Sequence, residues 1–513
     1  MYSIFIFTIL SSIVCCSASV VEVYWNVSRV LASRDGRAPW QVIAVNGNPR
    51  IPPVHVQQGD ILKLTVLNSM KNATSIHLRG FTFNGASYLD GTGMTSECGI
   101  PSGGTNYHTA DGLRTPLIIH EPPSNSVIPY DKEILFTFED WGEETELLPY
   151  YPDGLINGIN GNVTQSIKLV PGKKYRMRFV NLGAVYFFKF RIPGHKMHVI
   201  EADSIGTEPL EVDGIDIGPG QRVSAILAVH NTDEFNYIYN VTMYASFIVP
   251  HDKLNPRHYE GVVEYNLHAP VKNFPSPDDS ELQWQDDILL QPLNKQPLLS
   301  KVDHSIVLKE RTFTTEYGFP HLALGNASYA PPLVPSLFSA LSMGNLALDA
   351  RIYGPQANAQ ILRHMEVVEI TIHCPSKRDH SFHIHGHSAQ IVEFGPSGDA
   401  VANGKAPVQL RRSTNSPMYR DVITVRAYSY VKLRFRADNP GVWRLGDDIS
   451  AHTWGGLAIT LVEAPDVLQK QQAIPQDLID MCLAQGIKVT GNAAGNQGFN
   501  LTGLPPAVYM QDN

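Results

Sequence analysis

Cysteine is scarce in this chain, with five in 513 residues. Cys15 and Cys16 lie in the apolar opening stretch, so only Cys98, Cys374 and Cys482 belong to the body. That excludes a scaffold held by many disulfides. Positive charge is also in deficit. A total of 40 Lys and Arg against 49 Asp and Glu leaves a formal charge of -9, which argues against a nucleic-acid partner. Long apolar runs are missing after the first residues, and Leu504-Pro505-Pro506-Ala507-Val508 does not read as a tail anchor. No glycine-rich phosphate loop stands out, and no Ser-His-Asp order can be argued. Helical periodicity is scarce before Ala464. What remains is an ordinary globular balance, 43% hydrophobic and 17% charged, and a length that predicts two to four domains.

The opening run from Ile4 to Val14 is largely apolar and leads into Ser17-Ala18-Ser19. It reads as a secretory signal peptide over 1-19, without the usual positive start. Asn26, Asn72, Asn162, Asn240, Asn326 and Asn500 each begin a glycosylation sequon. Together these predict a secreted, extracellular glycoprotein carrying N-glycans, with no membrane anchor.

The body reads as β-structure. Lys174-Tyr175-Arg176-Met177-Arg178-Phe179 alternates between turn signals, and Val431-Lys432-Leu433-Arg434-Phe435-Arg436 does the same. Residues 20-125, 126-290 and 301-465 read as three β-domains, and the proline-rich stretch 275-300 as an inter-domain linker. Residues 466-513 form a C-terminal segment in which Leu468 to Ala484 can be helical, broken near Pro475. Many short strands with Gly and Pro turns indicate β-sandwiches.

The densest chemistry lies at His380-Ser381-Phe382-His383-Ile384-His385-Gly386-His387. It follows the alternating Val368-Glu369-Ile370-Thr371-Ile372-His373, so the cluster is expected at or just past a strand end, with imidazoles at a sheet edge. His383 and His385, two apart, face the same way on a strand. Imidazole nitrogen suits copper, zinc, iron or nickel; the alternative is an exposed His-rich loop.

Two further segments carry a resemblance. One is Ser75-Ile76-His77-Leu78-Arg79-Gly80, after the alternating Asp60 to Val66. The other runs from Asp438-Asn439-Pro440-Gly441-Val442-Trp443 to His452-Thr453-Trp454-Gly455-Gly456-Leu457. With the 380-387 cluster, these resemble the multicopper oxidases, in the fungal ferroxidase and pigment-laccase branch, over nearly all of the chain after residue 20. The resemblance implies an all-β fold of three cupredoxin-like Greek-key sandwiches with a short helical C-terminal segment. It also implies a Cys98–Cys482 bridge, leaving Cys374 as a free, buried thiol.

In that family a type 1 copper takes electrons from the substrate and a trinuclear copper cluster reduces oxygen to water. By carry-over, His380 and His452 match type 1 imidazoles and Leu457 the weak axial position. His77 and His383 match type 2 ligands, and His385 a type 3 ligand. The departures are as informative. The family's His-Cys-His reads Gly446-Asp447-Asp448, so the type 1 cysteine is Asp447 and two type 3 histidines are gone. Arg79 stands for a third. A second His-x-His motif is missing, and His108 is either its remnant or a surface loop histidine. Asp90 matches an acid that assists proton delivery, or else forms a turn before Gly91; the second such acid falls on Ser450. His195 and His198 read as structural.

The implied activity is laccase-like: oxidation of a small phenolic or pigment-precursor substrate by O2, with copper below the family's four and turnover in doubt. Iron is the rival substrate. The loop Val408 to Asn415 carries no acid, and Asp252 aligns loosely with an iron-site acid, so phenol is preferred over Fe(II). A metal-binding pseudo-oxidase is the third reading. A monomer is expected.

Overall fold

The computed structural model describes residues 19–101, 114–121, 128–142, 144–145, 148–149, 152–245, 256–275, 278–314, 320–398, 409–413 and 415–508. His108, Asp252 and the expected signal segment before Ser19 lie outside them.

Alternation in the sequence becomes strand where one face meets a core. Lys174–Asn181 lies parallel to Lys132–Trp141 and antiparallel to Arg222–Ala228 within a seven-stranded sheet. A six-stranded sheet containing Phe187–Arg191 and Asn236–Tyr244 faces it. Phe136 and Phe179 from the first sheet meet Phe190 and Tyr239 from the second, the Phe179 and Phe190 rings lying 4.8 Å apart. The 301-465 region repeats the plan. Val367–Cys374 and Ser429–Arg436 pair in one sheet, and His380–Ile384, Gly441–Asp447 and Ala458–Glu463 in the other. Ile370 and Leu433 of the first share a core with Phe382, Leu445 and Ile459 of the second.

The N-terminal region is thinner. Trp40–Val45, Val20–Ala32 and Ile61–Asn68 make a three-stranded sheet, and Val54–Gln57 pairs separately with Leu117–His120. Among the described residues its main cluster buries only Val27, Ile43, Val45 and Ile51. Tyr24, Leu31, Ile61 and Leu67 stay exposed on the same strands.

Three expectations change. The histidine strand His380–Ile384 is not at an edge: Val422–Val425 flanks it on one side and Gly441–Asp447 on the other. The 275–300 stretch, expected as an inter-domain linker, is packed against its surroundings: Gly214 bridges Trp284, Thr207 bridges Pro292, and the Arg420 guanidinium pairs with Asp287. Helix also begins earlier than the periodicity indicated. Ser336–Ser342 is helical, followed by short turns to Ala357, and packs with Cys98, Val442, Val462 and Cys482 in one cluster. The C-terminal helices are Pro465–Gln471 and Gln476–Ala484, the chain breaking at Gln472 to Pro475 as Pro475 requires. Cys98 and Cys482 are disulfide-bonded across 384 residues, and Cys374 is free and buried.

Candidate metal centres

Pairing of His380–Ile384 with Gly441–Asp447 sets Phe382 opposite Asp447 and His383 opposite Gly446. The short helix Ser450–Trp454 then folds His452 back onto the same spot. The result is a closed pocket of two imidazoles on one carboxylate. His380 Nδ1–H donates to Asp447 Oδ2 at 2.6 Å, and the His452 Nδ1 lies 2.8 Å from the same oxygen. Asp447 Oδ1 accepts from the Ser381 and Ile449 amides at 3.2 and 3.0 Å. His380, Asp447 and His452 are 0, 2 and 3% exposed. Burial alone would raise the Asp447 pKa, but His452 and His380 outweigh it and hold the carboxyl well below its usual range. Burial pulls both rings down. Asp447, aided by Glu310 at 3.8 Å, holds His380 above its ordinary value, whereas burial prevails at His452. Leu457 is fully buried and offers no ligand atom; its carbonyl accepts from the Asp447 amide at 3.1 Å.

The second centre crosses between the N-terminal region and the 301-465 sandwich. His77, His383 and His385 place ligand atoms within 4.8 Å of one another. His77 Nε2 and His383 Nε2 are 3.0 Å apart. Each ring is tied back through its other nitrogen. His77 Nδ1–H donates to the Asp90 carbonyl at 2.7 Å, His383 Nδ1–H to the Asp421 carbonyl at 2.9 Å, and His385 Nδ1–H to the Asp90 carboxylate at 3.0 Å. These partners fix the tautomers and aim three Nε2 lone pairs inward, as second-shell groups do around a metal. Burial, then the neighbouring cationic groups, pushes His383 well below its ordinary pKa; burial takes His385 to about 4. The His383 and His385 rings are therefore neutral near pH 7.

Two glycines permit this geometry. A Cβ on Gly91, at φ +71°, would lie 1.8 Å from the Ile76 carbonyl oxygen, beside His77. At Gly386, at φ +69°, it would strike the Trp443 ring at 2.5 Å. The bend at Gly386 sends His387 away from the centre, to a buried Glu463 at 2.9 Å.

Asp90 is more than a turn residue. It holds both His77 and His385, accepts from the Thr92 hydroxyl at 2.5 Å, and is fully buried. Burial opposes its ionisation, yet His385 and His77 keep it ionised. His195 is buried and bonded to the Tyr265 hydroxyl at 2.6 Å, and His198 sits 3.6 Å from Glu211, both away from these centres.

Sequence reasoning missed what Arg79 and Asp448 do together. They form an ion pair beside the three histidines, across 369 residues. A cavity of about 1060 Å³ opens there, lined by His77, Arg79, Thr92, His385, Asp447 and Asp448 among others. Arg114 reaches the Ser450 hydroxyl at its wall, at 3.4 Å. Glu97 was also missed. Burial and the Asp90 charge push its carboxyl up to about 7.

The strand plan, the paired histidine centres and the 98–482 bridge define a class, and the comparisons agree. Multicopper oxidase family profiles match residues 26–122, 135–259 and 329–467, and the chain belongs to that family. The iron transport multicopper oxidase fetC of Epichloe festucae is 32% identical over 95% of this chain and 83% of its own length. FET5 of Saccharomyces cerevisiae, with the same description, is 31% identical over 95% and 87%. In structure, the chain is similar to Fet3p, described as a multicopper oxidase that functions in iron import. The TM-score is 0.87 at 26% identity, covering 96% of this chain and all of that one. A Botrytis aclada laccase shares the fold, with a TM-score of 0.73 at 22% identity over 91% of this chain and 92% of its own.

Proposed function

We propose that this chain handles iron as a ferroxidase-type member of its family, with Fe(II) and O2 as substrates. This replaces the phenolic preference drawn from the sequence. The carrying observation is the donor set at His380, Asp447 and His452, two imidazoles and a carboxylate converging within 2.6–2.8 Å. That combination suits Fe(II), a harder ion than one held by thiolate. The iron-transport descriptions of the similar fungal proteins support the same substrate.

The family's copper chemistry fits this chain only in part. With oxygen from Asp447 in place of sulfur, the closed pocket does not fit a blue copper, whose colour and potential need a thiolate. Arg79 and Asp448 neutralise each other where two further imidazoles are required. His77, His383 and His385 do fit a copper ion, which would supply Lewis acidity and one-electron redox chemistry there. No step through a four-copper array is derived. One electron leaves each Fe(II) to give Fe(III), and four such electrons with four protons reduce one O2 to two waters. The protein's part is to hold Fe(II) among the two imidazoles and the ionised carboxylate. Against the cost of burial, the pairing with His452 and His380 keeps Asp447 charged for that purpose.

The opening segment and the six sequons support export and N-glycosylation. Among the described residues no helix is long and apolar enough to cross a membrane. The test is oxygen uptake with Fe(II) and, separately, with a phenol. Fe(II) is expected to drive slow uptake that Asp447→Asn abolishes, with no uptake on phenol. Phenol turnover without Fe(II) turnover would overturn the reading.

A further inference from the structure

We propose that His77, His383 and His385 form a mononuclear three-histidine centre for one divalent ion of the zinc class, its fourth position left open to the cavity by the described residues, and that the Arg79–Asp448 pair stands where further metal ions would otherwise sit. This uses different residues from the iron reading and does not depend on it.

The donor set is the first argument. Three imidazole nitrogens without thiolate or carboxylate are a tetrahedral ion's protein ligands, with one position left for water. Each ring's outer nitrogen is held by a carbonyl or carboxylate, so no ring needs to turn to bind. Access is the second. His77 and His385 line the cavity of about 1060 Å³, while His383 behind them is only 3% exposed. An ion therefore has an entry side and a closed side. The Thr92 hydroxyl, on the cavity wall and bonded to Asp90, stands 3.2 Å from His385 Nδ1, completing the polar shell behind the ligand.

The third argument concerns number. A trinuclear array needs ligands on the cavity side of these rings. Arg79 and Asp448 are there instead, bonded to each other. A guanidinium stays charged at every working pH and has no lone pair to give, so it cannot ligate. Its positive charge opposes a second cation, and its bond to Asp448 occupies that carboxylate. An ion pair thus fills by charge what coordination would fill in a multinuclear site. Both changes are coherent in space although far apart in sequence, as expected of a site rebuilt for one ion.

The experiment is a titration of the full, chelator-stripped protein with Co(II) followed by visible absorption, then displacement with Zn(II). In the Asp447→Asn background, which removes the carboxylate of the other centre, one equivalent of four-coordinate cobalt signal is expected that Zn(II) displaces. His385→Ala should remove it, and Asp90→Asn should weaken binding roughly 10–100-fold, the range for a second-shell partner. Thermal unfolding of each metal-free variant distinguishes ligand loss from misfolding. The double variant Arg79→His, Asp448→His should take up an additional ion nearby. Two or more ions at this centre in the unaltered chain would overturn the proposal, as would cobalt binding indifferent to His385→Ala in a folded variant.

Discussion

The two histidine centres use the same residue types to opposite ends. At His380, Asp447 and His452 a buried carboxylate takes two imidazoles and two backbone amides. At His77, His383 and His385 the hydrogen bonds all point outward, and the inner nitrogens face one another beside a cavity. The contrast teaches that convergence of histidines does not by itself say which donor atoms face an ion. What matters is which nitrogen is committed to protein. In the closed centre Nδ1 meets the Asp447 carboxylate; in the open one Nδ1 is bonded to a surrounding carbonyl or carboxylate.

The largest effect that sharpens this contrast is expected from Asp447→Ala. It strands two buried imidazoles and two amides, at a cost of about 3–5 kcal/mol, measured by denaturant unfolding of the metal-free protein. At the same position Asp447→Cys should give an intense visible band on copper loading while oxygen uptake with Fe(II) stays below family-like rates. The open centre would still lack its cavity-side ligands. Restored fast turnover would erase the distinction between the centres.

Glu97, buried near Asp90, gives a pH test of the open side. Below pH 4.5 its carboxyl is protonated in folded and unfolded chains alike and contributes nothing. From there to about pH 7 the unfolded chain releases the proton while the folded one holds it, so stability falls as pH rises. The full loss is on the order of 3 kcal/mol. Glu97→Gln should therefore be more stable than the parent at pH 8 and indistinguishable at pH 4. Equal stability at pH 8 would show that Glu97 is solvated. The smallest effect is expected from Arg79→Ala. Its ion pair is about one-third exposed on the Arg79 side, and partly screened pairs contribute roughly 0–1 kcal/mol. A loss as large as that of Asp447→Ala would mean the open centre is as tightly built as the closed one.

Much of this was legible in the residues. Strands such as Lys174–Asn181 and Ser429–Arg436 announce themselves because alternation is a local property of one half-buried face. The meeting of His77 with His383, and the 98–482 bridge, came from family resemblance. The position of the histidine strand inside its sheet was not legible, because its flanking strands begin 42 and 61 residues after His380 and leave no mark on 380–387. Ser336–Ser342 was missed because seven largely buried residues show no polar face against which to read a helical period. The Arg79–Asp448 pair was invisible for a different reason. Each residue read alone as a lost ligand, and only folding shows that they compensate each other's charge.

The central claim is that this chain binds metal ions singly. The most direct test is copper per chain after full reconstitution, with electron paramagnetic resonance on the same sample. At most two Cu(II) are expected, one for each centre, all visible as isolated ions and without intense blue absorption. About four coppers per chain, with a spin-coupled pair silent in resonance, would contradict the account.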